Sequence, residues 1–513
     1  MAVFVTFLLV VSCSQETARK FVFLNTVTYD NLDPHQNFDV ATVAIRLNLY
    51  DGLYRWLDDA PPHLEPWLAT DYEVSEDGLR WTFSLREGSM FHDGTEITAA
   101  DVVYSFDRIL GLQKGAASII GSLVDAGMVK ALDRYRVEFT LKKRSAIFLS
   151  IVPEIHVVNS ALVRQHENDG DWGSVWLSEN EAGSGSYQLD EFDPSIGFSA
   201  TRFTGHFFGW EPAAHIDKVE FRVVEELNTR VLGLMKGKYH FAGGYFPDFQ
   251  LQRLANSGTV EILDKEYMRL FLFQIHNQRA PLDNVHVRRA LNYAFDYDAY
   301  LSTVMKGSAD RNVVPIPNNM WGVPADVEGY EFDLEKAQAE LDLSGIAIDR
   351  PLEIGLISGF SVLEQAAVVL QNGLRKIGIE STINSYTWPV LLEKVRKKET
   401  TPDLITMWIS AYYVDPHNWI GQMYDPKQSG TYRSASWYVN PEVESLIDKG
   451  LTTLDQSARV SIYEDIARIV TEDAASLVVY NARWRGVLSN DIEGMRFCPV
   501  GVGQELRWLS WVE

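Results

Sequence analysis

The chain has little cysteine: Cys13 and Cys498 are the two among its 513 residues. A small domain held together by a network of disulfide bonds is therefore excluded. Long apolar runs are also missing. The N-terminal run over residues 3–11 is too short to span a bilayer, and no other run approaches the roughly 20 residues that a membrane-spanning helix needs.

Positive charge is scarce, with 46 Lys and Arg against 70 Asp and Glu and a formal net charge of −24. Nucleic-acid binding requires a basic face, so we exclude nucleic acid as a partner. An acidic surface can attract a cationic ligand, but plain solubility explains the same composition. The length predicts two or three domains, because one hydrophobic core does not extend over a chain of this size.

Catalytic and metal-binding motifs are missing as well. No HExxH, Walker, GxSxG or CxxC pattern occurs in a context that supports it. The 11 histidines are scattered, and His92 and His417 each fall in a predicted turn. No repeat of 20–50 residues is found. We therefore predict that the chain is not an enzyme and that it holds no cofactor and no metal ion.

Cys13 closes the apolar N-terminal run and is followed by a polar segment. The sequence Val-Val-Ser-Cys at residues 10–13 resembles the lipobox of bacterial lipoprotein signal peptides, in which the cysteine becomes the acylated N-terminus. We expect residues 1–19 to be a lipoprotein signal peptide and tether. The alternative is an ordinary buried N-terminal strand.

The first half of the chain predicts a mixture of strands and helices. A strand is expected at residues 20–28 and a helix at 41–54. A β-hairpin is expected at 71–85, because alternating apolar residues flank a Glu-Asp-Gly turn. Thr98 and Asp101 have the spacing of a capping box, which predicts the start of another helix.

The second half predicts a parallel sheet. A strand at residues 351–357, a helix stopped by Gly378 and a strand at 379–386 form a β-α-β unit, whose helix covers a parallel sheet. Residues 404–409 form the next buried strand, and Pro416 interrupts the chain after it. Ligands of open α/β sheets bind beyond the carboxyl ends of the strands.

Aromatic residues concentrate at this strand end. Trp408, Tyr412, Tyr413 and Trp419 lie within twelve residues of one another, and Trp388 precedes them. Flat amphipathic rings suit the wall of a pocket for a small organic molecule. The alternative, that these rings merely fill a core, stays open at this point.

Several sequence runs, taken together, resemble one protein family. They are LATDYEVSEDGL at 68–79, FHDGTEITAADVVYS at 91–105, GSGSY at 183–187, DNVHVRRALNYAFD at 283–296 and YVNPEV at 438–443. In this order they are similar to the extracellular solute-binding proteins of the oligopeptide- and dipeptide-binding family, family 5, which serve ABC importers. The resemblance covers residues 21–508.

The resemblance implies an α/β, bilobed periplasmic-binding-protein fold with an extra sub-domain. The first lobe would be residues 20–265, with the sub-domain at about 36–185, and the second lobe would be 266–479. Residues 480–513 would return to the first lobe. Two crossing segments, near residues 266–267 and 479–480, would form the hinge.

The implied function is that of the solute-binding component of an ABC importer, which captures a peptide or related small organic solute and delivers it to a membrane permease and its ATPase. We expect a monomer at the periplasmic or extracellular face, held at the membrane only through a lipid anchor or the permease. The alternatives are a ligand sensor, a binder of an oligosaccharide or other non-peptide solute, and a hydrolase that uses the same cleft.

The resemblance also locates the ligand site. In peptide-binding members an aspartate before the conserved proline binds the peptide ammonium group, and counting back from Pro416 places Tyr412 at that position. The amine-binding role is therefore carried over to no residue, and simple peptide binding is in doubt. The predicted ligand contacts are Trp388, Trp408, Ser410, Tyr412, Tyr413, Asp415, His417, Asn418 and Trp419, together with Thr28, Tyr29, Asn37, Phe38, Ser184, Ser186 and Asn277.

Overall fold

The computed structural model describes residues 19–26, 28–36, 42–57, 62–210, 215–244, 246–500 and 505–512. Three residues that the sequence analysis selected, Cys13, Asn37 and Phe38, lie outside the described residues, as do residues 1–18 of the predicted signal segment. Within the described ranges, no helix combines the length and the apolar character needed to cross a membrane.

The strands are β1 (Lys20–Asn25), β2 (Asp51–Gly52), β3 (Tyr54–Leu57), β4 (His63–Pro66), β5 (Ala69–Val74), β6 (Arg80–Leu85), β7 (Val129–Ala131), β8 (Arg136–Thr140), β9 (His156–Val157), β10 (Tyr187–Asp193), β11 (Gly197–Arg202), β12 (Lys218–Val223), β13 (Phe241–Gly243), β14 (Val260–Ile275), β15 (Ala309–Arg311), β16 (Leu352–Ile357), β17 (Ser381–Tyr386), β18 (Leu404–Ser410), β19 (Ser476–Ser489), β20 (Ile492–Glu493) and β21 (Ser510–Trp511).

The α-helices are α1 (Val43–Leu49), α2 (Ala99–Leu112), α3 (Ala117–Ile120), α4 (Phe148–Ile151), α5 (Ser160–Gln165), α6 (Ser174–Leu177), α7 (Leu227–Met235), α8 (Asp248–Ala255), α9 (Val285–Tyr293), α10 (Tyr297–Tyr300), α11 (Leu334–Ser344), α12 (Ser361–Lys376), α13 (Trp388–Val395), α14 (Ile420–Tyr424), α15 (Pro441–Thr452) and α16 (Gln456–Glu472).

A large mixed sheet runs through the molecule in the order β10-β11-β12-β1-β13-β19-β14-β18-β16-β17, and β15 also pairs with β19. The long strands β14 and β19 are antiparallel neighbours at its centre. Their pairing is irregular between Glu266 and Leu270. The hinge segments expected near 266–267 and 479–480 fall inside these two strands. The lobe boundaries themselves stay a prediction.

The predicted parallel unit of the second half is confirmed. Strand β16 pairs in parallel with both β17 and β18. Helix α12 covers the sheet, and its apolar face, which includes Leu363, Leu370 and Leu374, is buried in the same core cluster as Phe271 and Phe273 of β14. Strand β18 therefore ends at the carboxyl edge of a parallel set, where the sequence placed the ligand site.

The predicted hairpin and capped helix of the first half are also confirmed. Strands β5 and β6 are antiparallel and belong to a four-stranded sheet in the order β5-β6-β8-β7. The side chain of Thr98 accepts from the backbone at Asp101, whose carboxylate accepts from the backbone N–H of Thr98 at 2.9 Å, which is the reciprocal capping box.

The helix predicted over residues 41–54 is wrong in its length, because α1 ends at Leu49 and Tyr50 is already extended. The glycine-rich turn at 183–187 packs against this helix end, and the backbone N–H of Gly185 donates to the Leu49 carbonyl oxygen at 3.1 Å. A Cβ atom at Gly183 would lie 1.8 Å from that oxygen, so the approach requires glycine. The turn therefore ends the helix through a contact that local sequence does not reveal.

Candidate ligand-binding cleft

A cavity lies at the carboxyl end of β18 and is lined by two separate parts of the chain. It holds about 670 Å³ of space that includes open solvent. The first wall is formed by residues within 43–56 and 153–156, and the second wall by Ala411 and Tyr412, with Val500 as a further lining residue. Its lining residues are Val43, Arg46, Leu47, Gly52, Tyr54, Arg55, Trp56, Pro153, Glu154, His156, Ala411, Tyr412 and Val500.

The first wall carries charged side chains that are paired with each other. Arg46 of α1 contacts Glu154 at 2.5 Å. Arg55 of β3 contacts Glu505 at 2.6 Å, and its guanidinium group lies 4.3 Å from the centre of the Trp67 ring. Both pairs are buried. In each pair the carboxylate offsets the cost of removing the arginine charge from water.

Burial also sets the protonation of two groups in the first wall. Burial lowers the pKa of His156 well below its ordinary value, and the positive charges of Arg46 and Arg55 add to this effect. The His156 ring is therefore neutral at neutral pH. Burial raises the pKa of Glu154, although the ion pair with Arg46 opposes the rise.

The second wall is aromatic and is supported by a buried arginine. The hydroxyl groups of Tyr412 and Tyr432 are hydrogen-bonded at 2.6 Å. The guanidinium group of Arg433 lies 4.2 Å from the centre of the Tyr412 ring. Trp388, at the start of α13, packs edge-to-face on Tyr432 with ring centroids 5.2 Å apart. This wall therefore offers the ring of Tyr412 to a ligand, and Tyr432, Arg433 and Trp388 support that ring from outside the cavity.

The loop that carries Tyr412 is held rigidly by Asn418. The Asn418 side-chain oxygen accepts from the backbone N–H of Tyr412 at 3.0 Å, and its amide group donates to the Ser410 carbonyl oxygen at 3.1 Å. Asn418 is completely buried. We therefore assign Asn418 a positioning role in the second wall, in place of the predicted direct ligand contact.

Two further residues of this loop, predicted as ligand contacts, are buried beside it. Both carboxylate oxygens of Asp415 accept from Arg459, at 2.7 and 2.8 Å. The His417 ring is buried, and its pKa is lowered to about 3 by burial and by the charges of Arg459 and Lys143. Both side chains point into the protein, so we do not retain them as direct contacts.

Five other predicted contacts are core residues. Trp419 is completely buried, and its indole N–H donates to the Ile409 carbonyl oxygen at 3.1 Å. Ser184 donates to the buried Asp51 carboxylate at 2.8 Å. The structure corrects the expectation that these side chains face the cleft, since burial removes them from its surface. The group comprises Tyr29, Ser184, Ser186, Tyr413 and Trp419.

The remaining predicted contacts occupy different places. Trp408 lies within β18, and its indole N–H donates to the Tyr480 hydroxyl at 2.9 Å. The Ser410 hydroxyl accepts from Arg269 at 2.9 Å. Asn277 donates to three backbone carbonyl groups and stabilises a turn. Thr28 is exposed. Of the predicted set, Tyr412 alone is among the cavity-lining residues, and Trp388 lies behind it against Tyr432.

The sequence analysis did not predict the residues of the first wall. It also did not predict Tyr432 and Arg433, which support Tyr412 in the second wall. Arg46 lies three residues after Val43 and four before Tyr50, so it interrupts the apolar stripe of α1, and a charge in that position indicates a buried partner. Tyr432 and Arg433 follow a glycine turn and show no comparable pattern. Their place beside Tyr412 depends on tertiary contacts.

The sequence profile of the bacterial extracellular solute-binding proteins, family 5, matches residues 63–431. The chain belongs to this family. The dipeptide-binding protein of Escherichia coli K12 is 26% identical to it over 472 residues, which cover 85% of this chain and 84% of that protein.

Two solved structures show the same architecture. The ABC transporter-associated periplasmic binding protein DppA from Helicobacter pylori, in complex with the peptide STSA, superimposes with a TM-score of 0.81 at 23% identity and covers 97% of this chain and 98% of its own. The ABC transporter substrate-binding protein CtaP from Listeria monocytogenes gives 0.84 at 23% identity, over 97% and 100%. The family 5 chain therefore has the bilobed α/β periplasmic-binding-protein fold that its sequence implied.

Proposed function

We propose that this family 5 protein is the solute-binding component of an ABC importer and captures a peptide or related small organic solute between its two lobes. One observation carries the proposal: the cavity is enclosed by Arg46 and Trp56 from one part of the chain and by Tyr412 from a part more than 350 residues away. A ligand that contacts both walls would stabilise the closed arrangement.

The proposed mechanism is binding without chemistry. Strands β14 and β19 connect the two lobes, and their irregular pairing between Glu266 and Leu270 is where we place the bending. The closed protein, a monomer, would then dock on a permease whose ATPase drives import. The relatives' names support this use, since they describe binding proteins of ABC transporters.

We also propose that the protein is held at the outer face of a membrane by acylation of Cys13. The support is the Val-Val-Ser-Cys sequence at residues 10–13. Expression of the full chain and of Cys13→Ala, followed by membrane fractionation, tests this part. We expect the unchanged chain in the detergent-soluble membrane fraction and the variant in the aqueous fraction.

Mass spectrometry of the purified protein, first under native and then under denaturing conditions, tests the proposed function. We expect a small organic molecule that is bound in the native spectrum and released intact on denaturation. Conversion of the released molecule during incubation would instead favour a hydrolase. A sugar would favour the oligosaccharide alternative over a peptide.

A further inference from the structure

Arg433 is a buried cation whose described partners are all neutral. Its side chain is 4% exposed. Its guanidinium group donates to the Tyr432 hydroxyl at 3.2 Å, to the Asn418 carbonyl oxygen at 2.8 Å and to the Ser410 carbonyl oxygen at 2.7 Å. Among the residues that the structure describes, Arg433 has no carboxylate partner within 4 Å.

The other buried arginines around the cleft differ from Arg433 in this respect. Arg46 is paired with Glu154, Arg55 with Glu505, and Arg459 with Asp415. A buried charge is costly unless an opposite charge offsets it. Carbonyl and hydroxyl oxygens solvate the Arg433 guanidinium group but do not neutralise it. Arg433, which contacts Tyr412 of the second wall, therefore carries a positive charge that no carboxylate of the described residues offsets.

The tyrosines beside Arg433 do not supply the missing negative charge. Burial and the neighbouring Tyr432 hold the pKa of the Tyr412 hydroxyl well above its ordinary value, so this group stays a neutral phenol. The Arg433 guanidinium group lies 4.2 Å from the centre of the Tyr412 ring, and Tyr412 lines the cavity. The charge is thus in contact with a residue of the cavity wall.

We infer that the second wall receives an anionic group of the solute and disfavours a free ammonium group. The inference rests on the proposed function and specifies its ligand class: a carboxylic acid whose nearby amine is blocked, such as an N-acylated peptide, rather than a zwitterionic peptide. A carboxylate at Tyr412 would be attracted by the Arg433 charge, whereas an ammonium group there would be repelled.

The acidic character of the whole protein does not reverse this preference. The net charge of −24 belongs largely to side chains that are not buried, and salt screens such charges beyond roughly 8 Å at physiological ionic strength. Arg433 is buried and contacts the ring of Tyr412, which lines the cavity. The local charge therefore decides which ligand group is accepted.

Calorimetric titration with three matched probes tests the inference: N-acetyl-alanyl-alanine, which is anionic, alanyl-alanine amide, which is cationic, and N-acetyl-alanyl-alanine amide, which is neutral. We expect the anionic probe to bind at least about tenfold more tightly than the cationic probe, as expected for a charge contact in a site shielded from solvent. The neutral probe should fall between them.

Three variants assign the preference to this wall. Tyr412→Asp should reverse the order of the anionic and cationic probes, whereas Tyr412→Phe, which keeps the ring, should retain the order. Arg433→Gln should bring the anionic probe to within about threefold of the neutral one. Thermal unfolding of each variant would show that the fold is retained.

The outcomes separate this inference from the proposed function. Tighter binding of the cationic probe, or equal binding of all three, would overturn the inference and leave peptide capture intact. If none of the three probes bound at millimolar concentration, both the ligand class and the capture of peptide-like solutes would be overturned.

Discussion

Asp415 and Arg459 form a bidentate ion pair, with oxygen–nitrogen distances of 2.7 and 2.8 Å, and both side chains are buried. Asp415 also accepts from the backbone N–H of His417 at 3.0 Å and so begins the short 3₁₀ turn Pro416–Asn418. The pair therefore fastens the loop of the second wall to helix α16. Asp415 thus positions Tyr412 indirectly, through the loop that carries both residues.

Removing the Asp415 carboxylate should destabilise the protein. Asp415→Ala leaves the Arg459 charge buried without its partner, and we expect the free energy of unfolding to fall by about 3–5 kcal/mol. Urea unfolding, followed by tryptophan fluorescence, measures this change. The control is Arg136→Ala, which disrupts an exposed pair with Asp133 and should change the free energy of unfolding far less, because solvent screens the exposed charges. Equal effects of the two substitutions would contradict the role assigned to Asp415.

The two tryptophans near the second wall should respond differently to truncation. Trp419 is completely buried, so Trp419→Ala should lower the free energy of unfolding by about 3–5 kcal/mol. Trp388 is 39% exposed and packs on Tyr432, so Trp388→Ala should cost less than about 1.5 kcal/mol. Urea unfolding of both variants checks the difference. A larger loss for Trp388→Ala would contradict the assignment of Trp419 to the core.

His417 should make the protein less stable in acid. Its pKa of about 3 in the folded chain lies below the value of about 6.5 for an unfolded histidine. Between these values the unfolded chain binds a proton that the folded chain does not, so stability falls as the pH falls from 6.5 towards 3 and is unaffected above 6.5. The expected slope from this residue approaches about 1.4 kcal/mol per pH unit.

Urea unfolding at pH 7, 6 and 5 checks this prediction. His417→Gln should reduce the loss of stability between pH 7 and pH 5 by about 2 kcal/mol relative to the unchanged protein. An unchanged pH dependence in His417→Gln would contradict the lowered pKa of His417 in the folded state.

The sequence predicts those parts of the fold that depend on local patterns. The capping box of Thr98 and Asp101, the β5–β6 hairpin and the β16-α12-β17 unit each follow from residues that are near one another in the chain. Helix α1 was predicted too long, because its end is set by Gly185, more than 130 residues away. Distant contacts of this kind leave no local pattern.

The sequence placed the candidate site at the end of β18, and this position stays a prediction. The structure has a cavity there that Tyr412 lines, whereas most of the other predicted contacts do not line it. Alternation along the chain could not show that Trp419 and Tyr413 point into the core, since the loop after β18 has neither strand nor helix periodicity. The sequence could not identify Arg433 as part of the site. Its distinguishing feature is that no carboxylate of the described residues pairs with it, and ion pairing depends on tertiary contacts.

The most direct test of solute capture in this cleft is calorimetric titration of cleft-filling variants with the solute identified by mass spectrometry. Ala411→Trp would fill the cavity from the second wall and Leu47→Trp from the first, since both residues line it. We predict that each substitution weakens binding by at least about tenfold, while the melting temperature shows that the fold is retained. Unchanged affinity in both folded variants would contradict the account, because the solute would then bind elsewhere.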